Sequence, residues 1–152
     1  MRIVVALLLI ASSAAAQSRP DSTRMAVTFG FDEVVGWINK SVAMVPAEKF
    51  TYKPVVTVRT FGELTAHVAD GMNWYCGQAT GRKTDWSDAV EKGQTDKATV
   101  VAALKKAVDF CTTQYKGTGR VPNLMANVAH TNLHYGNMIT YIRMLGMVPP
   151  SS

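Results

Sequence analysis

Apolar residues recur at intervals of three and four along most of the chain, which is the spacing of one face of an α-helix. The first such stretch, residues 25–45, is followed by Pro46, which marks the end of a helix. Residues 47–59 contain Tyr52 and Pro54 without this spacing, so an extended connection is predicted there. The apolar positions of the first helix are Val27, Phe31, Val34, Val35, Ile38, Val42 and Val45.

A second helix is predicted to begin after Thr60, because Thr60 followed by Glu63 is the signature of a capping box. It is expected to end within residues 77–81. Residues 80–95 are rich in Gly, Thr, Lys and Asp, which is typical of a long surface loop. The apolar face of this helix is formed by Phe61, Leu64, Val68, Met72 and Tyr75.

A third helix is predicted after the capping residues Thr95 and Asp96, and Gly117 and Gly119 mark its end. Its apolar face is formed by Val101, Leu104, Val108, Cys111 and Tyr115.

Pro122 fits the first turn of a fourth helix, which is predicted to run to Leu145 with Gly146 as its C-cap. Because Arg143 is its only charged residue, this helix is expected to be buried on most sides. Four helices in one domain predict an all-α fold, a four-helix bundle.

The loop of residues 80–95 is long enough for the chain to cross over, so that helices two and three run parallel. Cys76 and Cys111 both lie near the C-terminal ends of those helices. Parallel helices would bring the two cysteines within reach of a disulfide, and the disulfide and the crossover therefore support each other. Two buried free thiols are the alternative.

The N-terminus predicts export. Arg2 is followed by an apolar run over residues 3–10 and by three alanines that end at Ala16, which is the pattern of a secretory signal peptide. Cleavage after Ala16 would leave a single domain of residues 17–152 in the periplasm or outside the cell, where disulfides persist. The apolar run is too short for a stable membrane anchor, although a retained anchor is the alternative. The net charge of +5 comes from scattered basic residues, which argues against a nucleic-acid partner.

The chain has three histidines, and two of them, His130 and His134, lie one helical turn apart. Two imidazoles on one helix face and a third from another helix can hold a metal ion, and that third can only be His67. Asp70, one turn after His67, is a candidate to orient that ring or to act beside a metal-bound water. Core histidines that are only hydrogen-bonded are the alternative.

A polar stripe runs along the fourth helix beside its apolar face. Polar groups on a buried face need partners, and a metal ion would satisfy the histidines among them. Asn127, Asn137 or backbone carbonyl groups would then hold the histidine rings in place. The stripe consists of Asn123, Asn127, His130, His134, Asn137 and Tyr141.

Four segments together resemble the DinB-like superfamily, which are four-helix bundles with a three-histidine metal site. They are VPAEKFTYKP at 45–54, RTFGELTAHVAD at 59–70, HTNLHYGN at 130–137 and YIRMLGMVPP at 141–150. The resemblance implies His67, His130 and His134 as ligands and an up-down-down-up topology with the crossover between helices two and three. Leu133 and Asn137 depart from the residues that many members carry there.

The resemblance further implies a divalent metal, with zinc expected first and nickel, iron or manganese compatible, and pairing of the chain as a homodimer. Characterised members are similar to thiol-dependent S-transferases and to metal-dependent hydrolases. Because low-molecular-weight thiols are cytosolic and this chain is predicted to be exported, a hydrolase of unidentified small-molecule substrate is favoured. The alternatives are a non-catalytic bundle that binds a metal or ligand and a scaffold without metal.

Overall fold

The computed structural model describes residues 21–93 and 95–152, and this part of the chain is helical without β-strands. The predicted signal peptide, residues 1–16, lies outside the described residues. Residues 21–93 and 95–152 form four α-helices, which confirms the predicted all-α class, and a 3-10 turn, Ala47–Lys49, follows the first of them. The helices are α1 (Ser22–Met44), α2 (Phe61–Ala79), α3 (Lys97–Lys116) and α4 (Val121–Met144).

The helix ends follow the capping residues of the sequence. Thr60 and Glu63 form both hydrogen bonds of a capping box at the start of α2. Asp96 caps α3, and Gly146 takes a positive φ of 76° just after α4, a conformation that suits glycine. The start of α1 was predicted three residues too late, because Asp21 accepts a hydrogen bond from the N–H of Arg24 and caps the helix earlier.

The helices bury a continuous apolar core, but α4 is less enclosed than its lack of charge predicted. Its outer face exposes Met125, Leu133 and Met144, so the expectation that the helix is buried on most sides is wrong. Uncharged residues such as Asn132, Gly136 and Thr140 are exposed on the same helix, which shows that lack of charge does not require burial. The largest fully buried side chains are Tyr115, Phe31, Phe50, Phe61, Ile38, Met72, Leu124, Met138 and Ile142.

Helices α2 and α3 are joined near both ends. At one end Gly62 lies against the carbonyl oxygen of Thr95. At the other end Cys76 and Cys111 form a disulfide, with their Cα atoms 5.3 Å apart and both side chains fully buried. The predicted disulfide is therefore present, and the described residues contain no free cysteine. Within the same residues, no helix has the length and apolar character needed to cross a membrane.

Candidate metal centre

The three histidines meet between α2 and α4. The ring of His67 lies 4.7 Å from that of His134 and 5.3 Å from that of His130, measured between ring centroids. The rings of His130 and His134 are 4.4 Å apart, as their spacing of one helical turn predicts. His134 is buried, and the other two rings are partly buried.

The nitrogen positions fit one metal ion. The Nε2 atoms of His130 and His134 lie 3.2 Å apart. Two nitrogens on one tetrahedral zinc ion, each about 2.05 Å from the metal, are separated by about 3.3 Å. One nitrogen from each of the three rings lies within 4.8 Å of the other two, so the group can close around a single ion with small movements.

Burial keeps the two histidines of α4 neutral. It lowers the pKa of His130 and of His134 to about 4, and the positive charges that His67 and Arg59 can carry nearby act in the same direction. A neutral imidazole has the free lone pair that a metal requires. The Nδ1 atoms of His130 and His134 are buried and have no hydrogen-bond partner among the described residues.

His67 differs from the other two histidines, because its Nδ1 atom lies 3.0 Å from the carboxylate oxygen Oε2 of Glu91. Arg59 donates to both oxygens of the same carboxylate, from Nε at 2.7 Å and from Nη2 at 3.2 Å. Glu91 was not found from the sequence. It lies in the loop before α3, where no periodicity indicates which side chain points to which helix.

Asp70 does not orient the ring of His67, which was one of its two expected roles. Its carboxylate is buried and accepts hydrogen bonds from the backbone N–H groups of Val90, at 3.0 Å, and Glu91, at 2.9 Å. Burial raises the pKa of this carboxyl in spite of those two bonds. Asp70 thus ties the loop to α2, and the carboxylate hydrogen-bonded to His67 is that of Glu91.

The polar stripe of α4 divides into two groups. Asn127 donates to the hydroxyl of Tyr115 at 3.0 Å and lies beside the sulfur of Cys111, so its side chain belongs to the core near the disulfide. It does not hold a histidine ring, contrary to one expectation. Asn137 and Tyr141 lie on the side of His134, and the hydroxyl of Tyr141 donates to the carbonyl oxygen of Arg59.

The ring of His130 lies directly on the backbone of α2 at Gly71. A Cβ atom added to Gly71 would lie 2.6 Å from Nδ1 of His130, much closer than van der Waals contact. Aromatic side chains enclose the same side of the site: Tyr75 is 5.3 Å from His130, and Trp86 is 5.5 Å from His67 between ring centroids. His134, although buried, lines the open space next to the site.

That open space is a cavity of about 570 Å³ next to His134. Most of its lining is polar, in contrast to the apolar pocket of a typical small-molecule site. The lining residues are Thr57, Val58, Arg59, Glu63, Leu64, Glu91, His134, Asn137 and Tyr141.

A second group of possible ligands shares His67 and adds Asp88 and Glu91. Their carboxylates already have cationic partners, because Arg59 pairs with Glu91 and Lys92 lies 3.1 Å from Asp88. The group of three histidines is therefore the better candidate for a divalent ion.

Comparison of the chain with protein-family models, curated proteins and solved structures finds no match.

Proposed function

We propose that this chain is an exported protein that holds one divalent metal ion through His67, His130 and His134. The observation that carries the proposal is the meeting of these three imidazoles beside an open cavity. Zinc is the first expectation, and nickel, iron and manganese also accept imidazole ligands. Export is supported by the disulfide, since such bonds persist in oxidising compartments.

A metal-dependent hydrolase is the activity that this arrangement supports best. When bound, an ion with three histidine ligands supplies an open position and lowers the pKa of water or a thiol bound there. The cavity beside His134 provides room for a small molecule, and Glu63, Asn137 and Tyr141 would bind its polar groups. Transfer to or from a thiol is the second chemistry that such a site supports.

A non-catalytic metal-binding bundle is the alternative, and one observation favours it. Two carboxylates near the histidines already have hydrogen-bond partners, Asp70 in the loop backbone and Glu91 in Arg59 and His67. Both oxygens of each carboxylate already accept a hydrogen bond, which weakens these groups as general bases.

We also propose the DinB-like topology, in which α1 and α4 run one way and α2 and α3 the other. The two joined ends of α2 and α3 support a parallel pair. On α1 and α4, Gly30 lies next to Val128, and Trp37 lies next to Tyr135. Residue numbers therefore rise in the same direction on both helices, which supports a second parallel pair. The backbone hydrogen bond from Arg120 to Ala79 brings the start of α4 to the end of α2.

Cobalt(II) tests the metal site and its open position together, because its visible spectrum reports coordination. We expect one cobalt ion per chain and a spectrum that shifts when azide or a small thiol is added. His134→Ala should lower loading at least tenfold. Asn132→Ala is the matched control, since Asn132 lies on the exposed side of α4 and its side chain donates to the carbonyl oxygen of Val128.

The same cobalt-loaded protein separates the two functions. A spectrum that shifts, together with hydrolysis of esters or amides by the wild type and not by His134→Ala, supports the hydrolase. Full loading with a spectrum that neither azide nor thiol changes would favour the non-catalytic alternative. Absence of loading would contradict the metal site itself.

A further inference from the structure

We propose that Glu91 is a positioning residue for the histidine site. By accepting a hydrogen bond from the Nδ1–H group of His67, its carboxylate holds this ring in the one tautomer that leaves the Nε2 lone pair free. The inference rests on the proposed metal site. It assigns a role to a loop residue that carries no sequence signal.

The hydrogen-bond pattern singles out His67. A neutral imidazole has its proton on either nitrogen, and the partner of one nitrogen decides the state of the other. A carboxylate only accepts, so Glu91 selects the form protonated at Nδ1. The Nδ1 atoms of His130 and His134 lack such a partner among the described residues.

Glu91 is itself held from two directions, and neither depends on a metal. Asp70, on the same helix as His67, accepts hydrogen bonds from the N–H groups of Val90 and Glu91 and so fixes the loop backbone. Arg59 binds both carboxylate oxygens in a bidentate pair, the strongest geometry for such a contact. The side chains of Glu91 and His67 are only 19% and 12% exposed, so water competes little for their hydrogen bond.

The neighbouring carboxylate of Asp88 does not share this role. This carboxylate accepts a hydrogen bond from the indole N–H of Trp86 and forms a salt bridge with Lys92. No hydrogen bond joins it to His67. Asp88 lies in the same loop and carries the same charge. Asp88→Asn is therefore a matched control that removes a nearby negative charge without removing the contact to His67.

The test uses nitrogen NMR of the histidine rings in the metal-free protein, followed by zinc affinity in competition with a chelator. In the wild type and in Asp88→Asn, His67 should be protonated at Nδ1. In Glu91→Ala the ring should shift toward a mixture of tautomers, and zinc affinity should fall 10- to 100-fold. Glu91→Gln retains an acceptor oxygen and should lie between the two, and it replaces Glu91→Ala if that variant does not fold.

A purely structural role for Glu91 predicts a lower Tm with an unchanged His67 tautomer, and that result would overturn the proposal. So would a wild-type His67 protonated at Nε2, or equal zinc affinity in wild type and Glu91→Ala. If the wild type bound no zinc, the proposed function would fail. The tautomer of His67 would still report separately whether Glu91 controls the ring.

Discussion

Among single residues, Gly71 decides the position of His130, because glycine has no Cβ atom. The histidine ring occupies the place where a Cβ atom of residue 71 would be, so only glycine allows the ring to lie this close to α2. The glycine is one helical turn after His67 and therefore faces the same side of α2. Its cost is a lower helix propensity than alanine, by about 1 kcal/mol.

We predict that Gly71→Ala weakens metal binding at least tenfold while the helices persist, because the new methyl group displaces the ring of His130. Zinc affinity and circular dichroism provide the measurement. Gly136→Ala is the control, since a Cβ there meets nothing within 4 Å although the residue lies two positions from His134. Equal zinc affinity in Gly71→Ala and wild type would contradict the position assigned to His130.

At the element scale, the long connection between α2 and α3 behaves as part of the site. Trp74 and Gln78 on α2 both donate to the carbonyl oxygen of Thr84, and Asp70 holds the loop further along. The sequence indicated only a surface loop there. These anchors explain how a segment without regular structure brings Glu91 to a fixed place.

Asp70→Asn should release the loop around Val90 and Glu91. The amide of asparagine has one oxygen and one NH₂ group, so one of the two backbone N–H groups would lose its acceptor and face another donor. Hydrogen–deuterium exchange at those two amides should rise at least tenfold, with exchange in the middle of α2 unchanged. Asp109→Asn provides the control, since that exposed carboxylate lies on α3 and pairs with Lys105. Unchanged exchange in Asp70→Asn would show that other contacts hold the loop.

The disulfide is the second link between α2 and α3. Replacing Cys76 and Cys111 together with alanine should lower the free energy of unfolding by roughly 4 kcal/mol, the chain-entropy value for a 35-residue separation. Urea unfolding with and without reductant provides the measurement. Reductant should bring the wild type close to the variant and leave the variant unchanged. Equal stability of the two oxidised proteins would be the contrary result.

At the scale of the whole molecule, metal binding should couple to stability because the three ligands come from two separate helices. Zinc at 100 times its dissociation constant should add about 2.7 kcal/mol to the free energy of unfolding, which raises Tm by roughly 5–10 °C. A chelator should reverse the increase. His134→Ala should show no increase, and an equal rise in that variant would place the metal elsewhere.

The bundle could be predicted from the sequence because the signals of a helix are local. Periodic apolar residues and caps such as Thr60 located each helix, and the one-turn spacing of His130 and His134 placed two rings together. Glu91 escaped prediction because its contact depends on how a loop folds back over α2. The burial of α4 was misjudged because lack of charge does not distinguish a buried helix from one with an uncharged surface.

The most direct test of the metal centre is metal content measured by mass spectrometry on protein prepared without a histidine tag. We predict close to one equivalent of a divalent transition metal per chain, lost in His67→Ala while the protein remains helical. No bound metal after incubation with zinc, nickel or manganese would contradict it. The three histidines would then be structural members of the bundle.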